Sequence, residues 1–203
     1  MFRPPVSPRL FARLKTTLFL LCLVPLLSLV YGLLGDSLGA NPIEALSRGL
    51  GDWTLRFLLI TLLVTPLRRF TGLNWLPRLR RMLGLYTFFY ALLHFMSYVW
   101  LDQFFDWAAI GKDIVKRPFI TVGFASFLLL IPLAATSTNA MIKRLGGQRW
   151  RALHRAIYLI AGLAVLHYWW MVKKDITQPA IYAAVLALLL GLRVYWAVRR
   201  GGR

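Results

Sequence analysis

The sequence predicts an all-α fold, a polytopic bundle of six transmembrane helices in which residues 1–203 form one domain and both termini are cytoplasmic. Three observations predict it. The chain is 59% hydrophobic with a mean hydropathy of +0.62, more apolar surface than a soluble domain of this size can hide. Its apolar residues come in runs close to the roughly 20 residues that a spanning helix needs. Its basic residues gather between alternate runs, so one side collects nearly all of the net charge of +18.

The first helix, expected at about 16–34, follows four basic residues, lacks a small-residue cleavage site and reads as an uncleaved span. Gly32, Gly35 and Gly39 lead out of it. The second, at about 49–67, has the shortest apolar run, from Trp53 to Leu67, and is expected to close at Pro66. The third, at about 82–101, is announced by Pro77 and a cluster of arginines. Pro118 opens the fourth, at about 118–136, and the fifth runs over about 152–172. The sixth, at about 178–197, starts near Pro179. Pro25 and Pro132 lie inside spans and are expected to kink them. Between the third and fourth helices, Phe104, Phe105, Trp107, Ile110, Ile114 and Val115 alternate with charges. That segment suits the membrane interface or a docking surface for an extracytoplasmic partner. Tyr98, Trp100, Tyr168, Trp169 and Trp170 suit an interfacial aromatic belt.

The charges orient the bundle. With the N-terminus inside, Arg3, Arg9, Arg13 and Lys15 precede the first helix. Arg68, Arg69, Arg78, Arg80 and Arg81 fill the second–third loop, and Lys143, Arg144, Arg149, Arg151 and Arg155 the fourth–fifth. Arg193, Arg199, Arg200 and Arg203 follow in the tail, making eighteen of the 25 basic residues on one side. All seven acids (Asp36, Glu44, Asp52, Asp102, Asp106, Asp113, Asp175) fall on the other side, with the remaining seven basic residues. The rule of positive loops inside then places both termini in the cytoplasm. A sequence pI near 11.2 suggests nucleic acid, but these cations sit at helix ends, where anionic lipid headgroups attract them by about 1 kcal/mol each. Membrane lipid is therefore the expected partner, and nucleic acid is not. The single cysteine, Cys22, excludes an internal disulfide and any C-x-x-C-H haem attachment.

The three histidines, His94, His154 and His167, all fall within expected spans. A buried imidazole in a membrane helix is costly and normally faces a partner. A proton relay would combine it with intramembrane carboxylates, and none is expected here. His154 and His167, thirteen residues apart, are separated by roughly 20 Å along a helix, too far to share one zinc. Axial ligation of haem iron, at one or two sites, is the chemistry that remains. The third and fifth helices both run outward, so His94 and His167 reach similar outer depth and can clamp one haem, while His154 lies at the inner depth. Arg80, fourteen residues before His94 and only about 40° off its face, occupies the place of a fourth histidine. Thirteen α-helical steps leave His154 and His167 about 140° apart, so both face one interior only if the helix is distorted or the cofactors approach from different sides. Gly162 and Gly84 are the positions where distortion or close packing is expected.

These spacings, the run Arg80-Arg81-Met82-Leu83-Gly84-Leu85 and the segment Trp150-Arg151-x-Leu153-His154-Arg155-x-x-Tyr158 resemble the ferric-reductase-like transmembrane domain shared by ferric reductases and NADPH oxidases. In those proteins two b haems stack in a six-helix core. Arg80 in place of a histidine, the small size and the absence of a flavin-reductase domain narrow the resemblance to the haem-binding membrane subunits of periplasmic methionine sulfoxide reductase systems. That resemblance implies a redox subunit rather than the catalytic one. It implies electrons passing from the quinone pool or a cytosolic flavin reductase to a periplasmic molybdopterin enzyme, MsrP, which repairs oxidised proteins. It further implies His94 and His167 as outer haem ligands and His154 as the inner one. Arg80, Arg81, Arg151 and Arg155 are candidates for propionate or inner-site contacts, and FMN is an additional cofactor of some such subunits. No residue is assigned to FMN or quinone, and the second inner ligand stays open.

Two other readings keep the fold. A stand-alone ferric or quinone reductase driven by NADPH would need a glycine-rich nucleotide fingerprint, which the chain lacks. A small non-redox transporter more often shows paired broken helices and intramembrane charge.

Overall fold

The computed structural model describes residues 7–201, with side chains through Arg199. Arg3 and Arg203 lie outside the described residues, as does the side chain of Arg200. All regular structure among the described residues is helical: α1 (Pro8–Leu34), α2 (Pro42–Thr71), α3 (Arg80–Met96), α4 (Trp107–Lys116), α5 (Pro118–Ala135), α6 (Asn139–Leu145), α7 (Gly147–His154), α8 (Ile157–Met171) and α9 (Thr177–Gly201). A 3₁₀ turn, Leu76–Arg78, leads into α3, and a π-helical segment, Ser97–Asp102, continues it. Five stretches are long and apolar enough to cross a membrane: Pro8–Leu34, Pro42–Thr71, Leu76–Asp102, Pro118–Ala135 and Thr177–Arg199.

Capping chemistry, not hydropathy, sets the helix ends, and it moves several of them. Ser7 accepts a hydrogen bond from the Leu10 N–H at 3.3 Å, with Pro8 in the first turn, so α1 starts well before its apolar run. Asn41 accepts from the Glu44 N–H at 3.2 Å and donates to its carboxylate at 3.1 Å, which starts α2 at Pro42 rather than near 49. Glu44, expected in a loop, is therefore a helical residue of α2. Pro66 does not close that helix. It is buried inside it, and α2 ends at Gly72, whose φ of 69° is the left-handed stop that glycine adopts freely.

The largest departure is at the fifth expected span. Residues 152–172 do not form one helix, because α7 ends at His154 and α8 begins at Ile157. Across the break the N–H groups of Arg155, Ala156 and Tyr158 bond three residues back, to Ala152, Leu153 and Arg155, at 3.2, 3.0 and 3.1 Å. A 3₁₀ turn advances about 120° per residue against about 100° in an α-helix. Three or four such steps remove roughly half of the 140° mismatch between His154 and His167. The distortion lies beside His154, not at Gly162.

The chain folds as two compact units, up to Trp107 and from Ala108. In the first, α2 packs along α3 around Leu50, Phe57, Leu58, Leu83, Tyr86 and Tyr90. Pro25 cannot donate to the α1 ladder, and the Tyr90 side chain enters next to it. The Tyr90 hydroxyl accepts from the Leu26 N–H at 3.1 Å and donates to the Cys22 carbonyl at 2.8 Å. Tyr86 donates to the Phe19 carbonyl at 2.8 Å. Phe11 meets Trp75 edge-on and the Arg78 guanidinium lies 3.7 Å from the Phe11 ring centre. These contacts gather the start of α1, the end of α2 and the start of α3, with their arginines, at one end of the unit.

In the second unit α8 packs along α5, with Ile160 and Ala161 fully buried and the Ser126 hydroxyl donating to the Ile160 carbonyl at 3.4 Å. Leu186 and Leu189 of α9 complete this core. The amphipathic α4 buries Ile110 and is tied to α5 by the Thr121 hydroxyl, which donates to the Ile114 carbonyl. Arg193 of α9 lies 5.6 Å from the Tyr158 ring centre, next to the basic α6–α7 region, while Tyr168 and Tyr182 meet at the opposite end. In each unit, cations thus concentrate at one end, as lipid headgroups on one side of a membrane would favour.

Candidate functional site

His94 lies near the C-terminal end of α3, half-buried against α2. Its Nδ1 is 2.8 Å from the Ser47 carbonyl oxygen, with the Ser47 hydroxyl at 3.4 Å. A carbonyl only accepts, so Nδ1 carries the proton and Nε2 is the nitrogen suited to a metal. One turn along α2 from Ser47, the ring fills the space over Gly51, where a Cβ would stand 3.2 Å from Cε1. Immediately beyond His94 the helix widens into its π-helical turn, and the Ser97 hydroxyl donates to the His94 carbonyl at 2.8 Å.

His167 repeats this arrangement in the other unit. Its Nδ1 is 2.7 Å from the Phe119 carbonyl oxygen on α5, which again places the proton on Nδ1. One turn along, the ring fills the space over Gly123, where a Cβ would stand 2.7 Å from Nδ1 and 2.8 Å from Cε1. Metal-binding histidines characteristically donate their second N–H to a carbonyl in this way, which fixes the tautomer and makes the ligand more basic.

His154 is held differently. The Thr136 hydroxyl lies 2.6 Å from the Pro132 carbonyl and 3.1 Å from His154 Nε2. A hydroxyl both donates and accepts, so this contact anchors Nε2 without selecting a tautomer. Trp150 stacks on the imidazole with ring centres 3.9 Å apart, and its indole N–H donates to the Thr136 carbonyl at 2.9 Å. Nε2 is thus the nitrogen of His94, and separately of His167, that suits a haem iron.

Within the second unit α5 serves as a ruler. Phe119 and Thr136, which fix His167 and His154, are seventeen residues apart, about 25 Å of helix. The two imidazoles sit at opposite ends of the unit, not in one site. Arg151 and Arg155 flank His154 and are exposed. Arg80 and Arg81 are exposed at the first turn of α3, about 21 Å along it from His94. Among the described residues no three of His, Cys, Asp and Glu gather into a metal-ion site. Asp52, one residue beyond Gly51, stands at the depth of His94 with its carboxylate 3.9 Å from Arg56, so an acid lies nearer that histidine than the hydropathy pattern placed it.

Sequence reasoning named the histidines and missed what holds them: Ser47 and Gly51, Phe119 and Gly123, Thr136 and Trp150. The only trace in the sequence is spacing, since carbonyl and glycine are four residues apart in both pairs.

Residues 50–166 match the family described as ferric reductase like transmembrane component, ending one residue before His167. The heme-binding subunit MsrQ of protein-methionine-sulfoxide reductase from Herminiimonas arsenicoxydans is 58% identical over 193 residues, 94% of this chain and 88% of the relative. The chain belongs to the MsrQ family. MsrQ proteins of Azospira oryzae and Ralstonia nicotianae are each 57% identical, over 99% and 98% of this chain and 86% and 92% of theirs. MsrQ membership and the five apolar helices make this a multi-pass membrane protein of the ferric-reductase-like class.

Proposed function

We propose that this chain is the haem-binding membrane subunit of a methionine sulfoxide reductase system in the bacterial inner membrane, with both termini cytoplasmic and α7–α8 completing the sixth crossing. It passes electrons from quinol or a cytosolic flavin reductase to a periplasmic molybdopterin enzyme, MsrP. That enzyme performs the substrate chemistry. The observation that carries this reading is the matched anchoring of His94 and His167, each with Nδ1–H on a helix carbonyl and the ring over a glycine. We assign these two as axial ligands of one outer b-type haem and His154 as a ligand of an inner one.

Bound there, haem supplies reversible one-electron chemistry whose potential follows ligand basicity, burial and nearby charge. The protein's part is to orient its ligands and set that charge. Ser47 and Phe119 fix the Nδ1–H tautomer of both outer imidazoles, so that Nε2 is the nitrogen offered to iron. Thr136 and Trp150 hold His154 at the basic end of the second unit, beside Arg151 and Arg155, and Arg80 and Arg81 stand at the basic end of the first; these four are our candidates to supply cations for propionates. Their charge favours the reduced state of an inner haem and raises its potential.

Reduced-minus-oxidised spectra of purified wild type, His94→Ala, His154→Ala and His167→Ala test this reading. His94→Ala and His167→Ala should each remove the same haem signal, and His154→Ala a different one. A colourless wild type sinks the assignment. Adding MsrP should reoxidise the reduced haem; absence of reoxidation favours a stand-alone reductase.

A further inference from the structure

We propose that Gly51 and Gly123 are positioning residues, each opening a notch in a neighbouring helix that seats an axial histidine against the carbonyl one turn earlier. This rests on the electron-transfer reading above and deepens it, because the notch fixes which nitrogen faces the iron and how strongly it donates.

The two halves of the chain build this seat independently with the same parts. In α2 the carbonyl is Ser47 and the glycine Gly51; in α5 they are Phe119 and Gly123. In both, the seated histidine comes from the next long helix of its own unit, 47 residues after Ser47 and 48 after Phe119. An imidazole reaches the backbone oxygen of an adjacent helix only if its ring lies close to that helix, and a side chain one turn on would hold it away. Glycine removes that side chain. In a helix interior glycine costs about 1 kcal/mol relative to alanine, so neither glycine is there for helix stability. Gly162 shows the contrast, because it shares α8 with His167 yet a Cβ there meets nothing within 4 Å.

The two notches differ in tightness, which makes the inference quantitative. A Cβ at position 123 would stand 2.7 Å from His167 Nδ1, 2.8 Å from Cε1 and 3.1 Å from Cγ, so the ring must leave its seat. At position 51 the nearest atom is His94 Cε1 at 3.2 Å, which a shift of a few tenths of an ångström relieves. Loss of the Nδ1–H bond makes the imidazole a poorer donor to oxidised iron and raises the haem potential.

The test compares detergent-purified wild type, Gly123→Ala, Gly51→Ala and Gly162→Ala by haem content, low-spin spectrum and midpoint potential. Gly123→Ala should retain haem about 10- to 100-fold more weakly, with the remainder shifted from bis-histidine low-spin character and raised in potential. Gly51→Ala should move the same readouts in the same direction by less, and Gly162→Ala should match wild type. If the glycines acted only through helix propensity, all three alanine variants would be at least as stable as wild type with unchanged potential, and the inference fails. Should Gly123→Ala not accumulate, an unshifted Gly51→Ala overturns it equally. A wild type without haem overturns the electron-transfer reading and this inference together. A haem-loaded wild type indistinguishable from Gly123→Ala overturns the notch alone.

Discussion

Tyr90→Phe deletes one oxygen from the fully buried core of the first unit, and its cost can be worked from the contacts of that oxygen. The hydroxyl bridges the Leu26 N–H at 3.1 Å and the Cys22 carbonyl at 2.8 Å, two groups that an uninterrupted α-helix would pair directly. Each bond is worth about 1 kcal/mol net, and a buried donor left unsatisfied costs about 1–3 kcal/mol. If α1 closes and pairs Leu26 with Cys22, only the bridge and its packing are lost. If Pro25 keeps the turn open, the Leu26 N–H is stranded. The expected destabilisation is therefore about 2–3 kcal/mol. Tyr86→Phe is the internal reference. It removes a single bond, to the Phe19 carbonyl, and strands no donor, so it should cost about 0.5–1.5 kcal/mol. Reversible denaturation in mixed micelles, followed by tryptophan fluorescence, ranks the two variants. Equal losses, or a larger one for Tyr86→Phe, would refute the account of Tyr90 as a substitute rung in the α1 ladder.

Three further outcomes are expected. Thr136→Val should remove the hydrogen-bond partner of His154 Nε2 and destabilise by about 1–3 kcal/mol, while Thr136→Ser recovers most of that loss; the same denaturation assay reports both. Arg78→Ala should cost about 0.5–1 kcal/mol through its lost contact with Phe11, measured against Arg81→Ala as a nearby surface change. Hydrogen bonds from Thr177, its hydroxyl and then its N–H, hold the Asp175 carboxyl below its ordinary range. A depressed folded-state value means that its contribution is present above the unfolded value of 3.8 and lost as pH falls through the lower folded one. Amide exchange at the start of α9 should therefore show less protection at acid pH than at neutral pH, and Asp175→Asn should abolish that difference.

By itself the sequence determined the all-helical membrane class and singled out three histidines as its candidates for chemistry. Apolar runs of membrane length, alternating basic loops and three histidines in otherwise apolar surroundings follow from solvation energetics that act residue by residue. Proline and glycine marked boundaries less reliably. Pro66 passes inside α2 because the surrounding structure tolerates one missing ladder bond, whereas Asn41 and Gly72 set the ends through capping bonds that hydropathy does not register. Only the tertiary structure decided the rest. It placed the helix break at Arg155–Ala156 rather than at Gly162, and it seated Tyr90 in the opening beside Pro25. It also set the Nδ1–H of His94 and of His167 on a carbonyl and Nε2 of His154 against a hydroxyl. A tautomer depends on which acceptor stands within about 3 Å of which nitrogen. For His94 and His167 that acceptor lies on another helix, 47 and 48 residues away, where no local pattern can read it.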